Sequence, residues 1–361
     1  MFRKLFGSAE HTASIADTTH ELKLVGKKKL LDAALEAGLD WPHDCRVGSC
    51  GECRCKLLSG KIKPLTDFSY TLSPEDIQQG TILACQSILK SDVSVAVELG
   101  SADINVQQVD ARIQSVQQLT HDILEIEVAL PERTFAGAVA GQYFEVMFAG
   151  LPEPRSYSLA RCPDAQGSSL LTFVIRHIPG GAFTDWLFES DRSGANLSVK
   201  GPFGQFYLRE ARQRMICIAG GSGLAPIIAL VEAGIAALRE EECVVLFGAR
   251  AQRDLYYLDR LSELGEQWRG RFELVPVLSD EPPDSDWQGA RGLVTDYVTQ
   301  AFEQAGAAFD HAYLCGPPPM VDASIDVLKR LGVSEAAIYF DKFLDASSMP
   351  EGRSAIADGA G

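Results

Sequence analysis

The chain has 361 residues, of which 46% are apolar, and a formal net charge of −16. That length allows two or three domains with ordinary cores, and the acidic balance excludes nucleic-acid binding for the bulk of the chain. Its nine cysteines form no disulfide framework and no run is apolar enough to span a membrane, so the sequence reads as a cytoplasmic protein with reduced thiols.

The N-terminal Met1-Phe-Arg-Lys-Leu-Phe-Gly7 leads into polar sequence, unlike a signal peptide. Residues 1–100 predict a small α+β unit. Apolar residues from Lys29 to Gly38 recur at helical spacing and stop at a glycine, and Val93 to Leu99 alternates as a strand does. Between them stand Cys45-Arg-Val-Gly-Ser-Cys50-Gly-Glu-Cys53 and, later, Leu-Ala-Cys85-Gln. C-x4-C-x2-C with one distant cysteine is the ligand spacing of a plant-type [2Fe–2S] cluster. Two irons need four thiolates in one small volume; a tight loop supplies three, and Gly48 and Gly51 let it fold back. A structural zinc site also takes four thiolates, though usually from two C-x2-C knuckles. Cys55 reads as a strand residue leaving the loop. Arg46, Arg54, Lys56, Lys61 and Lys63 face only Glu52 in this stretch, which makes either a solvated loop or a docking face for an acidic partner.

Residues 101–212 hold short alternating segments at Arg112–Gln117, Ile123–Ala129, Tyr143–Phe148, Leu170–Ile175 and Asn196–Lys200, separated by turn residues. They predict a small antiparallel barrel. Within it lie Arg155-Ser-Tyr157-Ser158 and Ile175-Arg-His-Ile-Pro-Gly180-Gly181-Ala-Phe-Thr184. An arginine can clamp a phosphate, a tyrosine face can cover an isoalloxazine ring, and a serine hydroxyl can bond a ring nitrogen. Gly180, Gly181 and Thr184 can cradle a second phosphate. By itself, Arg-x-Tyr-Ser is also an ordinary edge-strand fragment.

From residue 213 to 343 the pattern changes to apolar strands at Met215–Ala219, Val244–Ala249, Phe272–Val277, His311–Cys315 and Ile338–Phe340, with helix-length segments between them. This predicts a doubly wound parallel sheet. Gly220-Gly221-Ser-Gly223-Leu-Ala-Pro226 follows its first strand, where glycines and a helix N-terminus suit a pyrophosphate. Pro226 replaces the third glycine of the dinucleotide fingerprint, and a tight turn without a ligand stays open. Cys315-Gly316-Pro317-Pro318 ends a parallel strand, where ligands bind; its thiol can sit beside a nicotinamide or be a buried cysteine before a proline turn. Phe343 can cover a flavin or pack in the core. Arg250 and Arg253 keep NADPH open beside NADH. Residues 344–361 are small and polar and predict a disordered tail.

Taken in order, the four cysteines, Arg155-x-Tyr157-Ser158, the Gly220–Pro226 turn and Cys315-Gly-Pro-Pro resemble the one-chain NADH reductases of bacterial multicomponent oxygenases. Phe247–Tyr256, Gly270–Ser279 and Tyr313–Asp322 add to the likeness. The resemblance implies a multidomain chain: a β-grasp ferredoxin at 1–100, an antiparallel FAD barrel at 101–212 and an α/β doubly wound NAD domain at 213–343. It implies that Cys45, Cys50, Cys53 and Cys85 hold the cluster. Arg155, Tyr157, Ser158, Ile175, Gly180, Gly181 and Thr184 would hold FAD, and Gly220, Gly221, Gly223, Pro226, Cys315, Gly316 and Pro317 would hold NADH. Cys315, Ser158 and Phe343 would stand at the chemistry. Electrons would pass from NADH through FAD and the cluster to an oxygenase component, a membrane-bound di-iron hydrocarbon hydroxylase, which gives the N-terminal segment a weak membrane-surface role. A soluble Rieske or di-iron oxygenase, a dehydratase, or a free-standing diaphorase or redox sensor are the other readings. A zinc-stabilised dehydrogenase is disfavoured by the missing catalytic histidine and substrate domain.

Overall fold

The computed structural model describes residues 10–39, 41–43, 48, 51–99, 106–306 and 308–343. Cys45, Cys50, the N-terminal Met1–Gly7 segment and the tail at 344–361 therefore lie outside the described residues. Two compact units divide the chain between residues 103 and 104.

In the first unit, β1 (Glu10–Ile15) turns back into β2 (Glu21–Val25), and α1 (Leu30–Glu36) follows. Leu30, Leu31, Ala33 and Ala34 are buried, which fits one apolar helix face against a sheet. Gly38, at φ +75°, ends the helix. Next come β3 (Arg54–Ser59), β4 (Ile62–Pro64), α2 (Pro74–Gln78), β5 (Thr81–Leu83), β6 (Ser87–Leu89) and β7 (Val93–Ala96). The main sheet runs β2-β1-β7-β3-β5, with β1 and β7 parallel, and β4 pairs β6 separately. Ile15, Leu22, Leu31, Trp41, Leu83 and Val95 meet in its core. The helix and strand expected from the sequence both form, in a helix-on-mixed-sheet grasp.

The second unit begins with six antiparallel strands: β8 (Gln107–Gln118), β9 (Ile123–Thr134), β10 (Tyr143–Met147), β11 (Arg155–Ser158), β12 (Ser168–Arg176) and β13 (Asn196–Phe203), in the order β11-β10-β13-β8-β9-β12. The two edges meet where Leu159 bridges Phe173 and the Ala160 amide donates to the Thr172 carbonyl at 2.9 Å, closing a barrel. Between β12 and β13, α3 (Ala182–Glu189) adds Phe183 and Leu187 to the barrel core. α3 was not expected as an element, while β11 takes the edge-strand form that was the plainer reading of Arg155-Ser-Tyr-Ser.

The rest of the unit alternates β14 (Met215–Gly220), α4 (Leu224–Ala236), β15 (Cys243–Ala249), α5 (Leu258–Gln267), β16 (Phe272–Leu278), the short β17 (Ala290–Arg291), α6 (Asp296–Ala305), β18 (His311–Gly316), α7 (Pro318–Arg330) and β19 (Ile338–Lys342). All pairings are parallel, in the order β17-β16-β15-β14-β18-β19. Every residue of β14 and β18 is buried, as strands covered on both faces must be. The strand order reverses between β14 and β18, and a crevice forms at the carboxyl ends of strands on either side of such a reversal.

Candidate functional site

Two of the four predicted cluster ligands are described. Cys53 and Cys85 are 2% and 1% exposed, and the Cys85 amide donates to Cys53 Sγ at 3.5 Å. Gly48, between Cys45 and Cys50 in the sequence, stands at φ +90°, and a Cβ there would lie 2.6 Å from Gln86 Cγ, so Gly48 itself packs against the residue after Cys85. Thr71 Oγ1 donates to the Gly48 carbonyl at 2.6 Å, and the buried Thr66 hydroxyl beside Gly48 has no hydrogen-bond partner. Gly51, at φ +79°, lies under Arg54, whose Nε donates to its carbonyl at 3.0 Å. Two adjacent buried sulfur donors, with Gly48 packed against Gln86 beside them, suit a [2Fe–2S] group. Cys55 alternates with exposed Arg54 and Lys56 along β3 and pairs across the sheet with Ile82, as a strand residue does.

At the reversal between β14 and β18 the backbones nearly touch. A Cβ on Gly223 would fall 2.2 Å from the Cys315 carbonyl oxygen, and one on Gly220 would fall 2.5 Å from Met320 Sδ. Gly221 stands at φ +55°. The turn leads straight into α4, whose opening amides and dipole are available to a phosphate. Pro226 lies in the first turn of α4, where a missing N–H costs no intrahelical bond, so the departure from the glycine fingerprint is structurally mild.

The barrel brings its own residues to this point. Ser158 Oγ donates to Asp341 Oδ2 at 3.0 Å. Asp341 pairs with Cys315 in the parallel ladder, and the Phe343 amide donates to the Gly316 carbonyl at 2.9 Å. Arg176, at the end of β12, places NH1 3.9 Å from the Cβ position of Gly221, while its Nε donates to Asp122 Oδ2 at 2.9 Å. Burial alone would raise the Asp122 carboxyl; the Arg176 and Thr120 hydrogen bonds outweigh it and hold the carboxyl below the usual range. Tyr157 packs its ring 5.4 Å from Phe183, and burial pushes its phenol up.

Other predicted contacts take a different form. The Gly180 amide donates to Asp185 Oδ2 at 3.1 Å, the Gly181 amide to the Ile178 carbonyl at 2.8 Å, and the Thr184 hydroxyl to the same carbonyl at 2.9 Å. The open cradle expected of these three residues is thus bonded within its own turn, leaving the amides that open α3 as the donors there. Ile175 is fully buried in the barrel core. Arg155 donates to the Glu153 and Pro154 carbonyls at 2.9 and 3.1 Å. Asp341 and Arg176 were not singled out from sequence. No spacing rule joins Asp341 to Ser158, 183 positions away; only its place two residues before Phe343 hinted at it.

Three family descriptions match in series: a 2Fe-2S iron-sulfur cluster binding domain at residues 14–90, an oxidoreductase FAD-binding domain at 110–207 and an oxidoreductase NAD-binding domain at 217–325. The xylene/toluene monooxygenase electron transfer component of Pseudomonas putida is 42% identical over 348 residues, covering 95% of this chain and 97% of that protein. The chain belongs to the electron-transfer reductases of multicomponent oxygenases. Solved relatives agree in fold. The reductase resembles the Amycolatopsis cytochrome P450 reductase GcoB with a TM-score of 0.76 at 31% identity, covering 92% of this chain and 98% of that one. It also resembles the ferredoxin reductase of carbazole 1,9a-dioxygenase, with a TM-score of 0.71 at 30% identity, covering 93% and 99%. The reductase is an oxidoreductase that uses a [2Fe–2S] cluster, FAD and a nicotinamide dinucleotide. Among its described residues, no helix is long and apolar enough to cross a membrane.

Proposed function

We propose that this reductase takes electrons from NADH and delivers them singly to an oxygenase component that is a membrane-bound di-iron hydrocarbon hydroxylase, working in the cytoplasm against the membrane surface. The observation that carries the electron path is the meeting of Ser158 with Asp341 beside Cys315 and the glycine turn: it brings a flavin-type and a nicotinamide-type residue set to one crevice. The choice of partner leans on the likeness to a xylene/toluene monooxygenase component.

When bound, the flavin takes two electrons together and releases them one at a time, and the cluster carries single electrons. The chain's residues position and insulate. Arg155 and the opening amides of α3 would hold phosphate, Tyr157 would cover the ring, and Ser158 would turn its hydroxyl from Asp341 to a ring nitrogen. Gly220, Gly221, Gly223 and Pro226 admit the pyrophosphate; Cys315, Gly316 and Pro317 border the nicotinamide, with Phe343 next to them. Cys45, Cys50, Cys53 and Cys85 ligate iron. NADH is favoured on the likeness to NADH reductases, while Arg250 and Arg253 keep a 2′-phosphate open.

The test is an anaerobic visible titration with NADH. Flavin bleaching followed by loss of cluster absorbance supports the path; a colourless protein containing zinc, or a flavin that bleaches with no cluster present, rejects it. Hydroxylase turnover reconstituted with this reductase tests the partner. Flotation with anionic liposomes tests the membrane contact, and identical behaviour without residues 1–9 removes it.

A further inference from the structure

Two consecutive tyrosines reach from the start of α5 to opposite sides of the crevice. Tyr256, 5% exposed, donates its phenol hydrogen to the Gly221 carbonyl at 3.0 Å, inside the dinucleotide turn. Tyr257 donates to Glu125 Oε2 on β9 of the barrel, and Glu125 is 9% exposed. Their rings lie 5.1 Å apart. Tyr257 stands at φ +58° and ψ +19°, a left-handed conformation that a residue with a side chain keeps only where its surroundings fix it. Those surroundings are present. The Arg260 guanidinium lies 4.9 Å over the Tyr257 ring and donates to the Ala160 carbonyl at 3.3 Å and to Glu232 Oε1. Asp254 accepts from the Ala251 amide at 2.9 Å and lies 3.6 Å from His121 Nδ1 on the barrel hairpin. The segment 251–260 thus touches the glycine turn at one point and the barrel at His121, Glu125 and Ala160.

We propose that Tyr256 and Tyr257 form a bracket that fixes the glycine turn against the barrel, and that Tyr257 is a positioning residue for hydride transfer. This rests on the electron path proposed above. Hydride transfer depends steeply on the separation and alignment of donor and acceptor. Sliding the lobe over the barrel would change that separation, and the bracket joins the two surfaces directly. Its barrel end is a half-buried phenol donating to a carboxylate, a charge-assisted bond stronger than one between neutral groups. Burial, with Glu125 as neighbour, pushes the phenol up, so it stays a donor through the working pH range.

The experiment compares full-length wild type with Tyr257→Phe by anaerobic stopped flow and by amide hydrogen exchange. The expected result is a limiting rate of flavin reduction lowered about tenfold, an NADH dissociation constant within about twofold of wild type, and faster exchange at 120–125 and 251–257. Glu125→Gln, which still accepts the phenol hydrogen, should keep most of the rate. Glu125→Ala should add little to Tyr257→Phe in the double variant. It also reads the same contact from the barrel side if Tyr257→Phe does not fold. A wild-type limiting rate and unchanged exchange in a folded variant overturn the proposal. So does a loss confined to NADH affinity, which would assign Tyr257 to binding alone. If NADH fails to reduce the flavin of the unaltered protein, the proposed function fails instead, and the exchange comparison still decides whether the bracket exists.

Discussion

Gly223 shows how much one hydrogen atom in place of a methyl can matter. Its Cβ position lies 2.2 Å from a backbone oxygen of β18, and backbone cannot rotate away as a side chain can. Gly223→Ala should therefore cost ~1–3 kcal/mol and raise the KM for NADH more than it lowers the flavin content. Urea unfolding, steady-state kinetics and flavin absorbance measure the three. Asp122 sets a pH dependence. Its folded-state carboxyl is depressed, so its stabilisation is complete above the ordinary value of ~3.9 and is lost as pH falls through the folded value. Wild type should melt above Asp122→Asn at neutral pH, with the gap closing below pH ~3.9. A gap that persists in acid would show that Arg176 is held by something else. Of the residues that the fold brings together, the glycines and Cys53 and Cys85 stood out in the sequence because tight turns and ligand spacing leave local patterns. Asp341 was not legible: its part depends on β11 and β19 meeting across 183 positions.

Among the elements, five of the six parallel strands were read within a residue or two because strands covered by helices write apolar runs. β11, read only as an edge-strand fragment, and α2, α3 and β17, not read at all, have no such signature. Arg155-Ser-Tyr-Ser is polar at alternate places and becomes a strand through its ladder with β10. The Gly180-Gly181 pair reads as loop, yet the next residues turn into a helix because Phe183 and Leu187 are drawn into the barrel core. That tertiary origin is testable. Phe183→Ala removes a ring that is 1% exposed and touches Tyr157, Phe148 and Trp186, and should destabilise the barrel by ~3–5 kcal/mol in denaturant titration. A cost below ~1 kcal/mol would mean that local preference, not packing, holds α3.

At the scale of the molecule, the order of modules was legible from four motifs in sequence, whereas the closure of the barrel through Leu159 and Phe173 was not, since a single bridge leaves no periodic trace. The buried cores fall separately, one drawn from residues 13–99 and the others from beyond residue 109. Residues 104–343 expressed alone should therefore fold, retain flavin and reduce ferricyanide with NADH, while losing one-electron transfer to cytochrome c. An insoluble fragment would show that the first unit is needed for the second to fold.

Separate cores also decide how the protein fails. If the two units unfold independently, damage to the first leaves the second folded. A chain in that condition would keep oxidising NADH only where another acceptor, such as dioxygen, took the electrons from its flavin, so its failure would be a leak and not a stop.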